Sequence, residues 1–252
     1  MGPSPTFRDQ FGSVGAAYAE FRPRYPPLLF RALAAIAPAR RLAWDCATGS
    51  GQAALGLAEH FDEVVATDAS EAQLRAALAH QRVHYRQAPA ETSGLAAGTV
   101  DLVTVAQALH WLDRPAFYAE VRRVLAPGGV LAAWCYGLLE ISPDVDALVH
   151  AFYADTVGAY WPPERRLVES GYSTIEFPFV EFPLPLLAIE AELTLDELGG
   201  YIGTWSAVLR YRKATGADPV GPLLDRVRGP WGSPGARRLA RWPLTVRAGR
   251  VA

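Results

Sequence analysis

Between about residues 40 and 137, short apolar runs alternate with stretches in which apolar positions recur every three or four residues. The runs LAWDC (42–46), EVVATD (63–68), VHYRQA (83–88), VDLVTVA (100–106) and GVLAAWCY (129–136) predict strands. GQAALGLAEHF and SEAQLRAALAH predict helices, the second with Ser70 as N-cap, and PAFYAEVRRVL (115–125) predicts a third that starts on proline and stops at APGG. Strands that alternate with helices in this way build a parallel sheet covered on both faces, so the expected core is a doubly wound α/β unit.

Beyond 137 the pattern is looser. DVDALVHAFYADTVG predicts a helix, and RRLVESGYSTIEFPFVEF predicts a helix closed by Gly171 followed by a strand carrying Ile175, Phe177 and Phe179 on one face. Thr194 and Glu197 form a capping-box pair for a helix reaching about Arg212, and RWPLTVRAGR predicts a last strand. A chain of 252 residues, half of them hydrophobic, is expected to form one domain around one core.

No stretch approaches the roughly 18 apolar residues needed to cross a bilayer, and the N-terminus lacks a secretory pattern, so a cytoplasmic location is expected. Cys46 and Cys135 have no metal-ligand spacing, and each lies in a strand run. They are expected to be buried free thiols on strands separated by a third, and no metal site is expected. Charge adds an asymmetry. Residues 1–204 carry 14 basic and 24 acidic side chains, whereas 205–252 carry 10 basic and 2 acidic. Either the basic tail folds onto an acidic body, or it meets an anionic substrate; nucleic-acid binding is disfavoured because the chain as a whole has no basic excess.

The candidate chemistry begins where the first strand ends. Asp45-Cys46-Ala47-Thr48-Gly49-Ser50-Gly51 leads directly into a helix, and glycines there allow close backbone approach to a ligand at the helix N-terminus. Alone, the loop also satisfies the G-x-G-x-x-A fingerprint of NAD-binding folds. Asp68 ends the second strand 17 residues after Gly51, where a carboxylate can accept both hydroxyls of an adenosine ribose. Together these features point to an adenosine-containing cofactor at the carboxyl edge of the sheet.

Five segments in order then resemble a class I S-adenosylmethionine-dependent methyltransferase of the small-molecule type: the Asp45 loop, ATDASEAQL, QAPAE, VDLVTVAQALHW and VRRVLAPGGVLAAW. FRPRYP and YIGTWSAVLRY resemble the trans-aconitate methyltransferase-like branch. The resemblance implies a Rossmann-like, mostly parallel seven-stranded sheet, with an N-terminal lid (1–39), a cofactor-binding core (40–137) and remaining strands (138–252) carrying a helical cap insertion at about 184–240. It implies S-adenosylmethionine as methyl donor and S-adenosylhomocysteine as product. The cofactor residues it implies are Tyr18, Arg22, Asp45, Ala47, Thr48, Gly49, Gly51, Asp68, Ala69, Ala90, Glu91 and Gln107. Arg24, Tyr25, Trp111, Trp205 and Arg210 would face the acceptor, with Arg212 in the same cap.

Two departures matter. Ala47 stands at the first glycine of the first motif, so that position is expected to have a φ that alanine tolerates. Pro89 replaces the acid that many relatives use for adenine, which transfers adenine recognition to Ala90 and Glu91. His110 is either a general base or a hydrogen-bonding wall residue. A small, possibly anionic acceptor is expected, a carboxylate being favoured by the arginines in lid and cap. The competing readings are a cofactor-binding protein without catalysis, a tRNA methyltransferase and an NAD-dependent oxidoreductase.

Overall fold

The computed structural model describes Phe21 and residues 23–251. Its centre is a sheet built from β1 (Leu42–Cys46), β2 (Glu63–Asp68), β3 (Val83–Gln87), β4 (Val100–Ala106), β5 (Leu125–Tyr136), β6 (Val180–Glu181), β7 (Leu187–Leu193) and β8 (Arg238–Arg250). The order is β3-β2-β1-β4-β5-β8-β6, with β7 also paired to β8. β4 is buried at six consecutive positions. A strand covered on both faces needs such a continuous apolar run, and this is why the sequence marks it so clearly.

The sheet is mixed. β1 to β5 pair in parallel, and all three pairings of β8 are antiparallel. β6 and β7 share one flank of β8, β6 against Gly249 and Arg250 and β7 against Arg238–Leu244. Pro183 and Pro185 lie between them, and proline cannot donate to a ladder. One of the seven expected places is thus divided, giving eight strands.

Helices α1 (Pro27–Ile36), α2 (Gln52–Ala58), α3 (Glu71–Arg75), α4 (Arg114–Val124), α5 (Pro143–Ala151), α6 (Arg165–Glu169), α7 (Leu195–Gly203), α8 (Ser206–Thr215) and α9 (Val220–Trp231) complete the chain. Along β5 the side chains sort by face with period two. Val130, Ala132, Trp134 and Tyr136 join a core with α1, α2, α5 and α7 to α9, whereas Leu131, Ala133 and Cys135 join one with α4 and α6. Cys46 and Cys135 are buried free thiols on the second face, with β4 between their strands. α1, inside the expected lid, is a core helix that buries Leu29, Phe30, Leu33 and Ala34.

Three other expectations fail locally. α3 stops at Arg75 because it buries no residue, and a short helix without tertiary support is not sustained. The helix expected to reach Arg212 breaks after Gly203: Thr204 Oγ1 donates to the Tyr201 carbonyl at 2.6 Å, and Trp205 turns extended, its side chain buried. Segment 172–179 is no strand, although Ile175, Phe177 and Phe179 are buried. Gly171 and Tyr172 are both left-handed, at φ 59° and 60°. Arg247 binds the Tyr172 and Ile175 carbonyls, Tyr118 that of Glu176 and Arg122 that of Pro178, so side chains replace ladder bonds. No helix among the described residues is long and apolar enough to cross a membrane.

The basic C-terminal stretch is largely absorbed by packing. Arg237 pairs with Glu192 and Glu197, Arg241 with Glu190, and Arg247 with Glu181. At the amino ends of the central strands β1 and β4, fully buried Asp101 accepts the N–H groups of Arg41 and Leu42 at 2.9 and 3.4 Å and the Arg41 guanidinium at 2.7 Å. Burial pushes the Asp101 pKa up, but these hydrogen bonds outweigh it and hold the carboxyl below its usual range. Stability from Asp101 is therefore present above the ordinary carboxylate pKa and lost as pH falls. Asp101→Ala should lower stability by about 2–4 kcal/mol, read as a fall in thermal midpoint by circular dichroism. An unchanged midpoint would show that β1 does not depend on this anchor.

Candidate active site

The carboxyl ends of β1, β2 and β4 meet around one loop. Asp45, fully buried, accepts Thr48 Oγ1 at 2.5 Å and Thr104 Oγ1 at 2.7 Å. Thr48 N–H reaches the Thr67 carbonyl on β2, which fixes the loop against its neighbour. Gly49 N–H then donates to Asp68 Oδ2 at 2.8 Å, and Ser70 N–H donates to Oδ1 at 2.8 Å. The acid ending β2 is thus tied to the glycine loop by one oxygen and to the turn after β2 by the other.

Ala47, Gly49 and Gly51 have φ of 54°, 57° and 83°. The Ala47 value is a correction: the alanine keeps a left-handed conformation that disfavours side chains, because the bonds of Asp45 and Thr48 on either side fix the turn. A Cβ on Gly51 would come within 2.3 Å of the Tyr85 hydroxyl, whereas one on Gly49 would meet nothing closer than 3.7 Å. The Gly49 backbone therefore borders open room at the sheet edge. Ala69 follows Asp68 and holds Gln87 through its carbonyl, and buried Ala90 with half-buried Glu91 follows β3. The Cys46 thiol is pushed well up by burial first, then by Asp45, Glu91 and Asp68, which places all three acids within electrostatic reach of one atom. This donor set fits an adenosine-bearing cofactor.

Next to it lies a cavity lined by Gln107, His110, Trp111, Tyr136, Arg165 and Trp205, among others. Gln107 is left-handed at φ 54°, braced by N–H to the Trp134 carbonyl at 2.9 Å and Nε2 to the Tyr136 carbonyl at 3.1 Å. His110, on a 3-10 turn (Leu109–Trp111), shares a 2.9 Å hydrogen bond between Nδ1 and the buried Tyr172 hydroxyl. Among the described residues the non-glycine positions with positive φ are Ala47, Gln107 and Tyr172. Two border the strand ends and the third holds His110, so the backbone strain collects where the ligands would meet.

The other expected residues divide. Trp111 and Trp205 line the cavity. Tyr25 packs edge-on against Trp134, ring centroids 5.4 Å apart, while Arg24 is exposed. Arg210 approaches the Tyr160 carbonyl at 3.5 Å, and Arg212 pairs with Asp218, so neither is placed in the cavity lining. Tyr18 and Arg22 lie outside the described residues. Sequence reasoning did not find Arg165, Trp161 or Tyr136. Arg165 stands beside Arg166 in the same helix, and only packing separates the half-buried one from the exposed one.

Asp45 and His110 are shifted from their ordinary values in opposite directions. Burial pushes Asp45 up to about 6, against the threonine hydrogen bonds. Its folded pKa is raised, so stability falls as pH rises from 3.8 to about 6. Burial, then Arg165 and Arg114, push His110 down to about 3. Its folded pKa is lowered, so stability falls as pH drops below 6.5. His110→Gln should therefore become progressively less acid-sensitive than wild type below pH 6.5, by roughly 1 kcal/mol per pH unit in urea titrations. A pH-independent difference would mean that His110 is not buried as a neutral ring. Separately, Ala47→Gly should stabilise by about 0.5–1 kcal/mol, the relief of left-handed strain less the added unfolded-state entropy. Loss of stability would show that the turn accommodates alanine without strain.

Residues 44–133 match the family described as a methyltransferase domain. A putative methyltransferase from Dictyostelium discoideum is 37% identical over 221 residues, spanning 86% of this chain and 84% of that protein. A solved putative type II methyltransferase from Anaeromyxobacter dehalogenans is 52% identical, with a TM-score of 0.87 across 91% of this chain and 97% of that one. A phosphoethanolamine N-methyltransferase from Haemonchus contortus, solved with S-adenosylhomocysteine, shares the fold at 16% identity, with a TM-score of 0.51 across 99% of this chain and 61% of that one. With the Asp68-bound glycine loop at the sheet edge, these likenesses place the chain among the class I S-adenosylmethionine-dependent methyltransferases.

Proposed function

We propose that the protein methylates a small carboxylate, forming a methyl ester. The observation that carries this is the setting of His110, the histidine in the cavity, which is buried with its Nδ1 on the Tyr172 hydroxyl at 2.9 Å. Burial holds its ring neutral and a poor proton acceptor, with a pKa near 3, and its Nδ1 is engaged by Tyr172. The Tyr172 phenol is itself pushed well above its usual range by burial. An alcohol or amine acceptor would need a base here. A carboxylate is already ionised, so the chain has only to align it and exclude water.

Bound at the glycine loop, S-adenosylmethionine would supply an electrophilic methyl group to a carboxylate oxygen, its sulfur keeping the electron pair of the broken bond, so that no residue of the chain would have to remove a proton. Asp68 would hold the ribose, with Gly49 and Gly51 giving close backbone approach. Ala90 and Glu91 would border adenine, and Gln107 would orient the methionine portion. His110 serves as a hydrogen-bonding wall, with Trp111 and Trp205 beside it. Tyr18 and Arg22, from the N-terminal segment, complete the cofactor set, and Arg24 belongs to the same segment. Enclosure is supported by Phe21, whose ring lies so close to Gly200 on α7 that a Cβ there would meet it at 2.6 Å. The trans-aconitate-like character of FRPRYP and YIGTWSAVLRY agrees with an enclosed acid.

A tRNA acceptor is disfavoured because Arg237, Arg241 and Arg247 are committed to Glu181, Glu190, Glu192 and Glu197. A binding protein without catalysis is separated by turnover of labelled S-adenosylmethionine with a panel of organic acids, where the product is expected to be a methyl ester. Asp68→Ala should weaken S-adenosylhomocysteine binding by about 1.5–3 kcal/mol in calorimetry. Equal affinity in a folded variant would remove Asp68 from the cofactor site.

A further inference from the structure

Arg165 is a cation that the fold engages at Nε and over the guanidinium face. It begins α6, half-buried, at the cavity wall. Its Nε donates to the Tyr153 hydroxyl at 2.7 Å, and that hydroxyl in turn donates to Glu169. Its Nη1 and Nη2 have no hydrogen-bond or ion-pair partner among the described residues. The guanidinium carbon sits 4.8 Å from the Trp161 ring centroid and 5.4 Å from that of Tyr153. Trp205 packs against both rings, at centroid distances of 5.8 Å.

The support for this geometry is local. α5 ends in one wide turn, Phe152–Thr156, closed by Val157 N–H to the Phe152 carbonyl at 3.1 Å, and that turn carries Tyr153. Wide turns of this kind recur at functional sites. Bracing at Nε and packing against two rings hold the plane of the guanidinium. The edge that presents Nη1 and Nη2 is the one suited to two parallel hydrogen bonds with a carboxylate. Aromatic walls lower the local polarity, which strengthens such a contact and favours a planar or apolar body on the same ligand.

We infer that Arg165 is the specificity-determining residue for the acceptor: its Nη edge grips the carboxylate of a planar organic acid and holds it on the Gln107 and His110 side of the cavity, with the acid's body along the Trp161 and Trp205 walls. The inference rests on the methyltransferase reading and names its substrate class as planar organic acids, with Arg165 rather than Arg24 or Arg210 as the selecting cation.

The test uses the full chain saturated with S-adenosylhomocysteine, titrated with cinnamate and phenylacetate and with their neutral amides. The acids should bind at least about tenfold tighter than the amides. Arg165→Gln should lose about 10- to 100-fold of acid affinity and most of the acid-over-amide preference, with S-adenosylhomocysteine affinity unchanged; Arg165→Lys should fall between. Absence of S-adenosylhomocysteine binding by wild type would overturn the cofactor reading and the inference with it. If that binding is intact, the Arg165 assignment alone is overturned either by equal wild-type affinity for acids and amides or by a preference that survives in Arg165→Gln. Should the glutamine variant fail to fold, the wild-type comparison and the lysine variant decide: full wild-type acid affinity in Arg165→Lys contradicts the two-bond grip.

Discussion

The hydrogen bond from Gly49 N–H to the Asp68 carboxylate is the constraint on which the site depends. It joins the loop after β1 to the end of β2, and it can form only because three left-handed residues, Ala47, Gly49 and Gly51, curl the chain back over the strand ends. Asp45 anchors that curl from below through Thr48 and Thr104. A buried carboxylate is an expensive anchor, as its raised pKa shows. It is tolerated because it fixes two strands and the loop with one group.

The same economy governs the acceptor side. Gln107 ends β4 in a strained conformation held by the Trp134 and Tyr136 carbonyls, and Tyr172 uses a similar conformation to reach His110. The site is therefore held by backbone geometry more than by charge. Burial, then Asp45, Glu91 and Asp68, raises the Cys46 thiol at the end of β1, whereas burial, then Arg165 and Arg114, lowers His110.

Sequence made the first half of this legible and left the second obscure, for physical reasons. β1, β2, β4 and β5 are apolar on both faces, so their runs are continuous, and the acid-and-glycine spacing around Asp45 and Asp68 is local in the chain. The capping box at Thr194 and Glu197 was readable for the same reason. The strand expected through Ile175, Phe177 and Phe179 had the right burial but not the ladder, since periodicity reports which side chains are covered and not what bonds the backbone. Ala47 shows a different limit: composition suggested a relaxed turn, but neighbouring hydrogen bonds impose the strained one. Arg165 carried no signal, because its setting depends on Tyr153 and Trp205, which are distant in the chain, as well as on nearby Trp161.

The central claim is methyl transfer without proton removal. Single-turnover rates of the enzyme with excess carboxylic acid, followed by mass detection of the methyl ester from about pH 6 to about pH 9, test it most directly. A flat profile is expected, because a carboxylate acceptor would be ionised throughout and would need no proton acceptor. A rate that rises with pH through a single ionisation, or a product methylated on nitrogen or a hydroxyl oxygen, would contradict it.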